Sequence, residues 1–334
     1  MCYMCKIRGY VMAKNDERFL LRIADMYYQQ EMLQDEIAKK LNVSRTTVSR
    51  ALTKAKKEGY IKIIIDFPAE NAIELEKELE TKYHLKEVIA VKVNNIKDID
   101  ILVAKQAANY IARILKSDMT LGIAWGHTMK KVVDAFERYK IGSQITSKNI
   151  EVVPLLGTMI PETAYKNDLR LSYASLLSSK LAEMVNGISY HFAAPLYVKD
   201  ITVKNMLLKE PQIKAVLQKA KSCHIGIFGI GALTENSSIA ALESDAKNIL
   251  LKLSEQSGIG EILGRVFDKY GNTIQSELND RIIGLTLEEA KKIPVRVGVA
   301  FGEQKVKAIQ TAISTGIINV LITDSITAES INKI

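Results

Sequence analysis

The sequence predicts an α/β protein with a small N-terminal winged helix-turn-helix domain and a large, mostly parallel, Rossmann-like α/β domain. Three observations lead to this prediction. The chain has 334 residues, 47% hydrophobic and 25% charged, so it is globular and longer than one ordinary domain. Residues 15–67 carry three helical patterns followed by the apolar strand pattern "YIKIIIDF". From about residue 86 onward, short apolar runs alternate with amphipathic helical segments.

The composition divides the chain into four stretches. They are an N-terminal tail (1–14), a helix-turn-helix domain (15–68), a linker helix (69–85) and the large domain (86–334). The linker is assigned because apolar side chains recur at helical spacing among many charges in "NAIELEKELETKYH". The same helix could also pair with a copy of itself.

The apolar runs of the large domain are typical of buried parallel strands, which read as continuous stretches of Val, Ile and Leu. They are "EVIAVKV", "TLGIAW", "IEVVPLLG", "HIGIFGIG", "VRVGVAF" and "INVLITD". Their alternation with helical segments predicts a mostly parallel sheet with helices on both faces.

The net charge of +8 is concentrated at the front of the chain, where a polyanion would bind. Three cysteines, Cys2, Cys5 and Cys223, are too few for a disulfide framework. Cys2 and Cys5 lack a second Cys/His pair at zinc spacing, so we expect no metal and no cofactor. No run approaches the roughly 18 apolar residues of a membrane span. We therefore expect a cytoplasmic protein without membrane contact.

A helix-turn-helix is predicted in "QDEIAKKLNVSRTTVSRAL", where apolar residues fall at the spacing that two steeply crossing helices must bury. Asn42 lies at the tight turn, where a positive φ is expected and Asn tolerates it. Ser44 is a natural N-cap for the following helix, whose free end can also face a phosphate.

The second of these helices leaves basic and hydroxyl side chains on its outer face. Arg can bind guanine in a bidentate manner and Thr can contact a thymine methyl group, whereas the lysines at the far end suit phosphates. We expect the DNA-binding residues to be Ser44, Arg45, Thr46, Thr47, Ser49, Arg50 and Lys54. A solvated basic helix is the plain alternative, and RNA binding lacks an aromatic stacking platform here.

Several segments of the large domain resemble, in the same order, those of the SorC family of bacterial sugar-responsive transcriptional regulators, which includes regulators of deoxyribonucleoside use. In "LGIAWGHTMKKVVDAF" a strand runs into Gly-hydrophobic-x-Trp-Gly-x-Thr and then a helix. The other segments are "VVPLLG", "HFAAPLYV", "IGIFGIG", "FDKYGNTIQSELNDRIIGLTLEEAKKIP" and "KVKAIQTAISTGIINVLITDSITA". The resemblance extends from about residue 18 to the end of the chain.

The resemblance implies an effector domain similar to sugar-phosphate isomerases and deaminases of the ribose-5-phosphate isomerase and glucosamine-6-phosphate deaminase type. The local chemistry agrees, since Gly126 allows close approach and a helix that opens at His127 and Thr128 offers its positive end to a phosphate. "GIG", with Gly229 and Gly231, follows a buried strand where α/β sheets place ligands.

Downstream residues could complete the site with acceptors for sugar hydroxyls and cations for phosphate. We expect the effector to be bound by Gly126, His127, Thr128, Gly229, Gly231, Asp268, Arg281 and Lys305. Plainer alternatives are that Asp268 caps a turn, that Asp280 and Arg281 form a structural ion pair, and that Lys305 is a surface lysine.

Two departures from the family pattern bear on the identity of the effector. Thr158 stands where a second glycine is commoner, after the "VVPL" strand. The segment "GVAFGEQK" replaces a run of small residues, so Phe301 and Glu303 are candidates to alter the pocket.

Three functions follow as hypotheses, and the first is favoured. It is a non-enzymatic transcriptional regulator, such as a repressor, that binds double-stranded operator DNA as a homodimer or tetramer under control of a phosphorylated sugar. The second is a sugar-phosphate isomerase or deaminase with an appended DNA-binding head, which requires a positioned acid and base. The third is an architectural DNA-bound protein with a degenerate pocket.

Overall fold

The computed structural model describes residues 17–61, 72–92, 96–158, 173–234, 237 and 246–334. The chain divides into two compact units, residues 1–67 and 68–334. The expected N-terminal tail, with Cys2 and Cys5, lies outside the described residues. So does most of the expected wing strand, from residue 62 onward.

The first unit contains three helices, α1 (Glu17–Tyr28), α2 (Gln34–Leu41) and α3 (Arg45–Lys57). One apolar cluster joins them because each helix carries its apolar residues on one face. Its buried members are Phe19, Leu20, Ile23, Met26, Ile37, Ala38, Val48, Ala51, Leu52 and Ala55. The inward spacing predicted for α3 is therefore confirmed.

The turn between α2 and α3 has the expected local chemistry. Asn42 has φ 50° and ψ 48°, the left-handed conformation that ends α2. Ser44 begins α3 as its N-cap, since its side chain accepts a hydrogen bond from the Thr47 N–H at 3.2 Å. These two residues fix where the first helix ends and the second begins.

The second unit is built on a seven-stranded sheet in which every pairing is parallel. Its strands are β1 (Glu87–Val91), β2 (Thr120–Ile123), β3 (Glu151–Pro154), β4 (Ile188–Ser189), β5 (Ile225–Gly229), β8 (Val295–Val299) and β9 (Val320–Asp324). A separate antiparallel hairpin is formed by β6 (Gly260–Ile262) and β7 (Arg265–Phe267). All six apolar runs form strands, whereas the two-residue β4 and the hairpin were not predicted.

Helices precede, connect and follow these strands. They are α4 (Ile73–Tyr83), α5 (Ile99–Ile114), α6 (His127–Arg138), α7 (Ala174–Met184), α8 (Ile201–Leu207), α9 (Pro211–Lys221), α10 (Ala246–Glu255), α11 (Glu277–Arg281), α12 (Leu287–Ala290), α13 (Val306–Ser314) and α14 (Ser325–Asn332). The predicted α/β fold class is confirmed.

The strand order is β1-β9-β8-β5-β2-β3-β4. From β2 the chain continues to β3 and β4 on one side, whereas from β5 it continues to β8 and β9 on the other. The order therefore reverses between the adjacent strands β2 and β5. A parallel sheet opens a crevice beyond the carboxyl ends of the strands at such a switch point.

The expected linker helix is an integral part of the second unit. In α4, Leu79 is fully buried, and the carboxylates of Glu76 and Glu80 each accept a hydrogen bond at 2.8 Å from the sheet edge. The donors are the backbone N–H groups of Ala90 and Val88 in β1. Two of the charges that lie between the apolar residues of this helix thus attach it to the sheet.

Candidate functional site

A cavity of about 250 Å³ lies at the switch point, and we call it the switch-point cavity. Residues that follow β2 line one side, and residues at and after the end of β5 line another. The lining residues are Ala124, Trp125, Gly126, His127, Thr128, Gly229, Ile230, Gly231, Ala232, Thr234, Ser237, Glu261, Leu263, Gln304 and Lys305.

The β2 side of the cavity is the N-terminal end of α6. Gly126 is its N-cap and has φ 104°, a backbone conformation that side-chain-bearing residues rarely adopt. The first N–H groups of a helix have no acceptor inside the helix and carry partial positive charge. Thr128, half-buried in the first turn of α6, adds a hydroxyl group to this end, and His127 beside it is exposed.

The β5 side brings Gly231 against the β6–β7 hairpin. The N–H groups of Gly231 and Glu261 each donate to the other residue's carbonyl oxygen at 2.9 Å. A Cβ atom on Gly231 would lie 2.4 Å from Oε1 of Glu261, so a larger residue at this position would require the carboxyl group to shift. The hairpin therefore adds a wall that the parallel sheet alone does not provide.

Glu261 and Lys305 are ionisable groups that share the cavity. Glu261 is only 7% exposed, and burial raises its pKa to about 7, although the Gly264 N–H and the Lys305 charge oppose the shift. Burial likewise lowers the pKa of Lys305, while the Glu261 charge opposes the shift. The cavity thus offers the carboxyl group of a buried glutamate and the amine of a half-buried lysine.

We expect the raised pKa of Glu261 to make folding stability pH-dependent. The carboxyl binds its proton more tightly in the folded chain, so its stabilising contribution is complete below about pH 4.5 and is lost as the pH rises through about 7. At about 1.4 kcal/mol per pKa unit, the whole loss is about 3 kcal/mol. Glu261→Gln should remove this slope while keeping an acceptor for the Gly264 N–H.

The measurement is urea unfolding of both proteins between pH 5 and 8, followed by fluorescence of Trp125, the only tryptophan in the chain. The free energy of unfolding of Glu261→Gln relative to the unsubstituted protein should rise with pH. A difference that stays constant over this range would contradict a buried, titrating Glu261.

The structure separates Asp268 and Arg281 from the other expected effector residues. Oδ1 of Asp268 accepts from the N–H groups of Tyr270 and Asn272 at 2.8 and 2.9 Å, so this residue caps a turn. Arg281 forms an ion pair with Glu277 at 2.7 Å. The partner suggested by the sequence was Asp280. It also donates to the hydroxyl of Tyr197, beside a different cavity.

Thr158, Phe301 and Glu303, the residues that depart from the family pattern, do not line the switch-point cavity. The hydroxyl of Thr158 lies 2.9 Å from that of Ser175. Gln304 and Lys305 line the cavity where Phe301 and Glu303 were the candidates, and Nζ of Lys305 lies 5.7 Å from the centroid of the Phe301 ring. Phe301 therefore lies beside a lining residue without lining the cavity itself.

Glu261 was missed from the sequence, together with Trp125 and Gln304. The available signal was the pair of charges within the apolar stretch "GIGEILGRVF", because charged residues are rarely buried without a role. Across the described part of the second unit and of the first, no three His, Cys, Asp or Glu side chains cluster to hold a metal ion.

The second candidate site is the outer face of α3. Ser44, Arg45, Thr46, Ser49 and Arg50 are exposed, whereas Thr47 and Lys54 are half-buried. The Ser44 hydroxyl lies 2.8 Å from the hydroxyls of both Thr46 and Thr47. Arg45 and Lys54 form ion pairs, each at 3.6 Å, with Asp35 and Glu58. Such exposed pairs are weak, so the cations can exchange them for phosphates.

Comparison with known proteins identifies both units. A family model described as "Putative sugar-binding domain" matches residues 68–332, and one described as "Winged helix-turn-helix DNA-binding" matches residues 30–62. The deoxyribonucleoside regulator of Bacillus subtilis (strain 168) is 28% identical over 96% of this chain and 99% of its own. The transcriptional regulator LsrR of Escherichia coli (strain K12) is 29% identical over 95% of each chain.

Solved structures agree with the sequence relatives. A DeoR family transcriptional regulator from Listeria monocytogenes matches with a TM-score of 0.68 and 28% identity, over 78% of this chain and 98% of the other. The full-length sorbitol operon regulator SorC from Klebsiella pneumoniae shares the fold, with a TM-score of 0.69 at 22% identity over 95% and 99% of the two chains. No helix among the described residues is long and apolar enough to cross a membrane.

The family model of the sugar-binding domain covers well over half of the chain. The protein therefore belongs to the SorC family of sugar-binding transcriptional regulators and carries their helix-turn-helix DNA-binding domain.

Proposed function

We propose that the protein is a transcriptional regulator whose affinity for operator DNA is controlled by a phosphorylated sugar bound in the switch-point cavity. One observation carries the proposal. The N-terminal end of α6 and the half-buried Lys305 line the same small cavity, so two sources of positive charge converge there. An uncharged sugar would gain little from either.

The remaining lining residues suit the sugar part of such a ligand. The phosphate would lie against the first turn of α6, where Gly126 allows close approach and the Thr128 hydroxyl donates. Glu261 and Gln304 offer acceptors and donors for sugar hydroxyls, and Trp125 offers an apolar ring face. The names of two relatives, a deoxyribonucleoside regulator and a sorbitol operon regulator, agree with a sugar-type effector.

Control of DNA binding requires that the effector bind two arrangements of the protein with different affinity. A tenfold change in operator affinity corresponds to about 1.4 kcal/mol of coupling free energy, which is ordinary for allosteric proteins. We further propose that the protein acts in the cytoplasm as a homodimer or tetramer, since helix-turn-helix proteins read paired half-sites as dimers. Sedimentation that finds only monomer, with and without DNA, would contradict this assembly.

A thermal-shift panel tests the effector class. We expect phosphorylated pentoses and hexoses, but not the same sugars without phosphate, to stabilise the second unit. A ligand at 100 times its Kd contributes about 2.7 kcal/mol, which is a readily measured shift. Trp125 fluorescence gives an independent reading because this ring lines the cavity. Equal stabilisation by phosphorylated and unphosphorylated sugars would contradict the proposal.

The alternative, a sugar-phosphate isomerase or deaminase, is favoured by one observation. A carboxyl group with a pKa of about 7 is suited to general acid–base catalysis, and Glu261 lies in the same cavity as Lys305. Incubation of the bound sugar phosphate in heavy water distinguishes the two functions. Deuterium uptake at the carbon next to the carbonyl, lost in Glu261→Gln, would establish catalysis; its absence supports a regulator that only binds.

A further inference from the structure

A second cavity, also in the second unit, is lined by more positive than negative side chains. It has a volume of about 490 Å³ and lies between α8, α9 and β7, and we call it the α8/α9 cavity. Its charged lining consists of the five cations Lys204, Lys209, Lys214, Lys221 and Arg265 and the single carboxylate Glu289. This volume is within the range of about 300–1,000 Å³ that is typical of small-molecule sites.

The one carboxylate is already engaged. Oε1 of Glu289 accepts from Nζ of Lys221 at 2.8 Å, and Oε2 accepts from the Thr286 N–H at 3.0 Å. Lys209 and Lys214 are exposed and have no ion pair within the described residues. Four of the five cations therefore form no ion pair with the one carboxylate of the cavity lining.

Arg265 is the most deeply placed of these cations. It is 5% exposed, and its guanidinium donates to backbone carbonyls only: those of Leu285 and Asn279 at 2.9 Å, and of Ile282 and Gly284 at 3.3 Å. Carbonyl groups satisfy its hydrogen bonds but leave its charge in place. Glu289 and Asp280 act on this charge from a distance, without an ion pair to the guanidinium. A buried charge without a contacting partner is costly, and a bound anion would reduce that cost.

Lys204 adds a second like charge beside Arg265. Nζ of Lys204 donates to the backbone carbonyl of Asp280 and not to a carboxylate. Burial, followed by the Arg265 charge, lowers the pKa of Lys204, while Asp280 opposes the shift. An anion that contacts both cations would favour the charged form of Lys204. The lining of this cavity therefore favours the binding of an anion.

We propose that the α8/α9 cavity is a second anion site that binds a small molecule carrying two or more linked phosphate groups. The cations come from β7, from α8, from the connection to α9 and from α9 itself, so they belong to four different segments of the cavity lining. A chain of phosphates reaches several of them at once. This site is separate from the switch-point cavity, although Glu261 and Arg265 stand at the two ends of the same hairpin turn.

Inorganic pyrophosphate is the probe, titrated into the full chain by calorimetry. Lys209→Gln/Lys214→Gln should weaken binding about tenfold or more, because two charge-assisted contacts are lost. Lys116→Gln/Lys148→Gln, an equal change of charge at exposed sites elsewhere, should leave it unaltered. Thr128→Val, in the switch-point cavity, should keep this pyrophosphate affinity, which separates the second site from the proposed effector site. All variants are checked for unchanged melting temperature without ligand.

Three results would overturn the proposal. Pyrophosphate binding that Thr128→Val abolishes and the α8/α9 double variant retains would place the anion in the switch-point cavity. Weaker binding of random duplex DNA by the double variant, with unaltered pyrophosphate affinity, would make the cavity a nucleic-acid surface. A changed sedimentation coefficient with unaltered pyrophosphate affinity would make it a contact between copies of the chain.

Discussion

The Thr128→Val variant should lose its response to the effector while its effector-free DNA binding stays near normal. Valine matches threonine in shape but has no hydroxyl, so the phosphate loses one donor in the first turn of α6. A hydrogen bond to a charged group contributes about 1.5–3 kcal/mol, which predicts an affinity loss of roughly 10- to 150-fold. The DNA-binding helices belong to the other compact unit and keep their sequence.

Calorimetry with the sugar phosphate, and fluorescence anisotropy with operator DNA, measure the two properties separately. Thr81→Val is the matched control, since Thr81 is an exposed helical threonine whose hydroxyl donates to the Lys77 carbonyl in α4. An unchanged effector response in Thr128→Val would contradict the assignment of the start of α6 to the binding site.

The second large effect is expected in α3. Arg50→Ala should weaken operator binding by about 1–3 kcal/mol and have a smaller effect on random DNA, because its guanidinium is exposed in the middle of the outer face and can reach base edges. Lys57→Ala should weaken both alike and lower the salt slope by about one, as expected for a phosphate contact at the helix end.

Anisotropy titrations of operator and scrambled duplexes over a salt series measure both variants. Alanine is the best helix former, so α3 should remain intact in each, and circular dichroism checks this. If both variants changed the ratio of operator affinity to random-DNA affinity by the same factor, the division of α3 into a base-reading part and a phosphate-binding part would be wrong.

The DNA-binding unit could be predicted closely because its signals are local. The turn at Asn42 and the cap at Ser44 each depend on the residue's own side chain and its nearest neighbours in sequence. Six of the seven strands of the parallel sheet could be predicted equally well, since buried parallel strands are uniformly apolar, whereas β4 has only two residues and was missed. Residues directly after β2 and β5 could be assigned to the crevice from the family resemblance and from their positions after buried strands.

The rest of the switch-point cavity depends on tertiary placement. Glu261 reaches the cavity from a hairpin outside the parallel sheet, and no sequence period indicates where such a hairpin docks. Asp268 and Arg281 have the right chemistry for a phosphorylated sugar, but local turn geometry and a short helix direct them to other partners. Residue type could be predicted there, whereas the direction of the side chain could not.

The attachment of α4 also decides what the free edge of the sheet can do. An outer strand with open N–H groups is a template on which a strand from another molecule can add. The carboxylates of Glu76 and Glu80 occupy the outward N–H groups of β1, and the Ala72 N–H donates to the Ala90 carbonyl on the same side. A strand from another molecule could therefore pair with this edge only by first displacing α4, which protects the edge against strand exchange and edge-to-edge aggregation.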